Sequence, residues 1–106
     1  MIESGGFCCD MKAMTREERG HYELLRAKLE AAVVSAEDLA DGYSLQLRCE
    51  AITQTELAKW VAFEKKCCPF FRLMTSGEHG ALKLEITGRD GVKEFIRAEF
   101  SAIRFK

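Results

Sequence analysis

The chain has 106 residues, enough for one ordinary domain and too few for two. Apolar residues make up 47% and charged residues 31%, and the net charge of −1 comes from interspersed acids and bases, so there is no basic stripe for a nucleic-acid partner. No apolar run approaches the roughly 18 residues of a membrane span, and "MIESGGFCCDMKAM" has neither the cationic start nor the apolar core of a signal peptide, so a cytoplasmic location is the default expectation.

Residues 1–14, with Gly5-Gly6 and no hydrophobic periodicity, read as a flexible segment carrying Cys8 and Cys9 ahead of a single domain at 15–106. "TREE" is a capping box: Thr15 and Glu18 can each satisfy the other's orphan backbone N–H. Tyr22, Leu25, Leu29 and Val33 follow at helical spacing and predict a helix over about 16–32. A hairpin comes next, with a weak strand over about 34–40 and Asp41-Gly42 as its turn. Beyond the turn, Tyr43, Leu45, Leu47 and Cys49 alternate with polar residues, as in a half-buried strand. "TQTE", Thr53 with Glu56, caps a second helix bearing Leu57, Trp60, Val61 and Phe63. That helix should end by Cys68, because the residue before Pro69 resists helical geometry. "PFFRLMT" and "ALKLEIT" read as strands joined by "SGEHG". Asp90 is expected to cap a third helix whose buried stripe is Val92, Phe95, Ile96, Phe100 and Ile103. The expected fold class is α+β: helix-strand-strand-helix-strand-strand-helix, a four-stranded, mainly antiparallel sheet with the helices on one face.

The five cysteines include two adjacent pairs, Cys8-Cys9 and Cys67-Cys68. In a reducing compartment such clusters point to metal or redox work more than to a disulfide framework. Adjacent Cα atoms lie about 3.8 Å apart, whereas a relaxed disulfide spans roughly 4.4–6.8 Å, so a bridge between neighbours would be strained. If each helix returns antiparallel to the strand it follows, the layout brings Cys67 and Cys68 back to the Asp41-Gly42 end. Cys49 is then left on the order of 20 Å away at about 1.5 Å per helical residue. His79, in the far turn, is out of reach by a similar distance at about 3.3 Å per strand residue, on the order of 20 Å. The N-terminus of the first helix, and with it Cys8 and Cys9, is expected at the Cys67/Cys68 end. Glu64 neighbours both Cys67 and Cys68 on the second helix and falls on its apolar stripe, where a carboxylate wants a partner: an ion pair with a nearby Lys or Arg, or a place beside the thiols as metal ligand or proton acceptor.

These placements give a candidate metal set of Cys67, Cys68, Cys9, Cys8 and Glu64. Thiolates are soft ligands and select soft ions; Zn, Hg and Cu are the candidates, with trivalent arsenic by the same softness. Two other readings stand beside this one. In the first, a thiol-disulfide redox protein pairs Cys8 or Cys9 with Cys67 or Cys68. In the second, a non-catalytic dimerising or small-molecule-binding domain uses its cysteines only for packing. Cys49 is expected in the core, His79 and His21 on the surface, and Trp60 with Phe70 and Phe71 in the core. Phosphate loops, Ser-His-Asp arrangements and H-E-x-x-H motifs are absent from the sequence, and the sequence takes no position on catalysis. Partners are expected to be a metal ion, with no nucleic acid and no membrane; a homodimer completing one site remains open.

"AFEKKCCPFF", Ala62 to Phe71, resembles a small bacterial family with a Glu-x-x-Cys-Cys-Pro-Phe core. The resemblance extends to Cys9-Asp10, to the "DGY" at Asp41 to Tyr43, and to "GRDGVKEF" at Gly88 to Phe95. It implies an association with heavy-metal resistance, mercury above all. By position it carries over Glu64, Cys67, Cys68 and Cys9, while Cys8 is outside the shared pattern.

Overall fold

The structure, a computed structural model, describes residues 14–78, 81–100 and 103. The expectations for Cys8, Cys9 and His79 lie outside the described residues. Within them the order is α1 (Arg16–Ala32), β1 (Val33–Leu39), β2 (Gly42–Arg48), α2 (Gln54–Cys67), β3 (Arg72–Glu78), β4 (Ala81–Thr87) and α3 (Val92–Glu99). The strands form one antiparallel sheet in the order β1-β2-β4-β3. The α+β class and element order follow the sequence expectation.

Both capping boxes are present. Thr15 Oγ1 accepts from Glu18 N while Glu18 accepts from Thr15 N, and Thr53 and Glu56 repeat the pattern at α2. Each box ties down two N–H groups that the helix cannot satisfy itself. In the central strands Tyr43, Leu45 and Leu47 of β2 pair with Ile86, Leu84 and Leu82 of β4. All six are buried, and they point to the face that the helices cover. Trp60 of α2 meets Phe100 edge-on at 6.1 Å, and Phe95 of α3 meets Phe70 at 5.2 Å, so the two helices share one core.

α2 runs antiparallel to α1, as its flanks show. Lys66 reaches Glu18 at 3.1 Å at one end, and Lys28 pairs with Glu56 at the other. The start of α1 therefore stands beside the end of α2. Gly88 N donates to Asp41 O at 3.0 Å, and β3 opens at Arg72, opposite Thr87 and Gly42. The β1–β2 turn, the α2 C-terminus and the β4–α3 junction thus lie at one end of the molecule, as the layout required.

Four local expectations are corrected. The hairpin turn is Ala40-Asp41, because Leu39 already pairs with Gly42. Gly42 belongs to the strand: a Cβ there would stand 1.9 Å from Ile86 O, so close backbone approach excludes a side chain. Cys49 is exposed instead of buried. β2 stops at Arg48, whose carbonyl accepts from Ala51 N and Ile52 N; the chain turns there and Ile52 takes the buried place. β3 continues through Ser76 and Gly77, which the sequence reading assigned to a turn. The cap of α3 is Gly91 at φ 95°, and Asp90 does not serve. A left-handed residue fits there only as glycine without strain.

Candidate metal centre

α2 places the centre. Leu57, Trp60, Glu64 and Cys67 recur at three- and four-residue intervals and form its buried stripe. The stripe is apolar except for Glu64, which is fully buried. At Cys68 the backbone leaves the helix, at φ −130° and ψ 69°, as Pro69 demands. Cys68 N still donates to Glu64 O at 2.7 Å, and Phe71 N donates to Cys68 O at 3.2 Å. On an unbroken helix adjacent side chains diverge by about 100°. The unwinding instead brings the two sulfurs to 3.8 Å, both fully buried.

One ligand atom each from Glu64, Cys67 and Cys68 lies within 4.8 Å of the others, so this trio could hold a metal ion. The expected ligands Glu64, Cys67 and Cys68 are thus brought together, and the exposed Cys49 takes no part.

The carboxylate is half satisfied. Tyr22 OH donates to Glu64 Oε2 at 2.7 Å from α1. Glu64 Oε1 is buried and has no hydrogen-bond partner among the described residues. Burial raises the Glu64 pKa to about 7; the Tyr22 hydrogen bond and Arg26 oppose that rise, and Glu99 adds to it. Arg26 is itself held by Glu99 at 3.0 Å and lies over the Phe100 ring at 4.7 Å. Burial, with the negative charge of Glu64 beside it, pushes the Cys67 thiol up to about 12.

The two cysteines differ in state. Cys67 is a free thiol, and its S–H has two acceptors at 3.8 Å, Glu64 O and the Cys68 sulfur. Cys68 is disulfide-bonded. A disulfide sulfur is no thiolate, so the three-donor set forms only after reduction.

Tyr22 and Arg26 were not recognised from the sequence as part of the site. Tyr22 stood in the α1 stripe as a hydrophobe, yet a buried tyrosine hydroxyl needs a partner, and that was the available signal. Comparison with protein-family models, with curated proteins and with solved structures finds no match for this chain.

Proposed function

We propose that this protein binds a soft metal or metalloid ion through the thiolates of Cys67 and Cys68, with Glu64 completing or orienting the set. The observation that carries this reading is the orphaned Glu64 Oε1, fully buried within reach of two sulfurs. A buried carboxylate oxygen left without a donor costs about 1–3 kcal/mol or more, and a cation or a proton removes that penalty. A set of two thiolates and a carboxylate suits Zn(II), which takes sulfur and carboxylate oxygen ligands in tetrahedral sites. Two thiolates and a carboxylate leave one tetrahedral position, and Cys9, or Cys8, is the donor proposed to fill it.

The redox reading has one observation in its favour, the disulfide at Cys68. Against a catalytic thiol stands Cys67, which is buried and held protonated, whereas working nucleophiles are exposed and of low pKa.

The test is elemental analysis of protein purified under reducing conditions without chelator, followed by Zn(II) titration of wild type, Cys67→Ser and Cys68→Ser. One equivalent bound by wild type, with either substitution weakening it strongly, is the expected result. If wild type neither retains an ion nor takes up Zn(II) at micromolar concentration, the reading is wrong.

A further inference from the structure

We propose that the bond at Cys68 is a redox gate on the metal centre: oxidised, the site lacks one thiolate and does not hold the ion; reduced, it does. This rests on the metal-binding reading above and adds its regulation.

Three observations carry it. Cys68 is disulfide-bonded while Cys67, 3.8 Å away, remains a thiol. Both sulfurs are fully buried, so the difference between them is not one of exposure. The same Cys68 sulfur belongs to the only group of three or more potential metal-ligating side chains among the described residues, so one atom serves two mutually exclusive bonds. With Cys68 oxidised, the described donors shrink to Cys67 and Glu64, and Glu64 Oε1 is left unpartnered.

The chemistry balances with a dithiol as reductant. The S–S bond at Cys68 breaks, two electrons and two protons pass from the dithiol to its two sulfurs, Cys68 and its bonded partner become thiols, and the dithiol leaves as a disulfide. Metal binding then displaces the thiol protons to solvent. The oxidised form does not collapse onto Cys67, because a bridge between adjacent residues is strained.

The probe is Cd(II), read by its sulfur-to-metal charge-transfer absorption, on full-length protein in two preparations. One is air-oxidised and the other reduced and desalted without oxygen; peptide mapping after alkylation fixes the state of each cysteine. Reduced protein should bind one Cd(II). Loss of even an outer partner of a ligand weakens a metal 10–100-fold, so the oxidised form should bind at least ~100-fold more weakly. The crosslink at the tryptic peptide beginning at Cys67 should survive Cys67→Ser and vanish in Cys68→Ser. A thermal unfolding transition in each variant confirms that it is folded. Equal Cd(II) binding by both preparations overturns the gate and leaves the metal site standing. Failure of both to bind overturns the metal reading and the gate with it. Mapping that finds no crosslink to Cys68 in the air-oxidised protein overturns the gate alone.

Discussion

Glu64 is a fully buried carboxyl on the apolar stripe of α2, and its neighbours set what it does to stability. Tyr22 and Arg26 face it from α1, Glu99 from α3 and Cys67 from its own helix. Its pKa is raised to about 7 from an ordinary 4.5, so the folded state holds its proton where the unfolded chain has lost it. The stability tied to that proton is complete below pH 4.5 and is lost as pH rises through about 7. At about 1.4 kcal/mol per unit the loss is on the order of 3 kcal/mol. In reduced, metal-free protein, the urea midpoint of wild type should therefore fall between about pH 5 and pH 8 relative to that of Glu64→Gln, which has no such proton to lose. Parallel midpoint profiles for the two proteins would show that Glu64 does not titrate in this range. Tyr22→Phe removes the one donor that Glu64 has among the described residues while keeping the ring. It should lower stability at pH 8 by about 1–3 kcal/mol in the same assay, and by little in the Glu64→Gln background.

The helices and strands show which local signals carried the fold and which did not. The capping boxes fixed the starts of α1 and α2, because a Thr and a Glu three residues apart satisfy backbone groups that nothing else nearby can. Thr53→Ala should cost about 1 kcal/mol by thermal or urea unfolding. The Glu56 pKa is lowered, by the Lys28 hydrogen bond and then by the cap, so its contribution is present above pH 4.5 and lost as pH falls through its folded value. The stability gap between Glu56→Gln and wild type should accordingly narrow in acid. Gly42 was misread because a glycine beside an aspartate signals a turn, whereas its actual reason is the backbone of Ile86 in a strand far along the chain. Gly42→Ala should break the β2–β4 pairing at that end and destabilise by several times the ~1 kcal/mol that an unobstructed strand glycine would show. Cys49 was misread for a related reason. Alternation predicts burial only while the strand continues, and the turn after Arg48 ends it. The Cys67-Cys68-Pro69 stretch was legible because proline acts on its own neighbour; the Tyr22–Glu64 bond, 42 residues apart, was not.

Across the whole molecule, the site joins elements distant in sequence, so an ion bound there is coupled to folding. Cys67 and Glu64 end α2, Tyr22 and Arg26 belong to α1, and Glu99 closes α3. An ion that binds only the native arrangement stabilises it by about 2.7 kcal/mol at a hundredfold excess over Kd. For a domain of this size that corresponds to a Tm increase of roughly 10–20 °C, at about 4–8 °C per kcal/mol. The size of the increase should depend on pH, and the sign follows from the protons. With its pKa near 12, Cys67 is a thiol throughout the neutral range and must lose its proton to ligate. Reduced Cys68 must do the same, and below about pH 7 Glu64 adds a third. Each released proton makes the affinity rise about tenfold per pH unit, so two released protons give about a hundredfold. The Zn(II)-induced Tm shift in reduced protein should therefore grow steeply from pH 6 to pH 8. Calorimetric titration in buffers of different ionisation enthalpy counts the protons directly and should find about two per ion near pH 8. A count near zero would mean that the ion binds elsewhere, through groups already deprotonated, and Cys67 and Cys68 would return to a packing role at the end of α2.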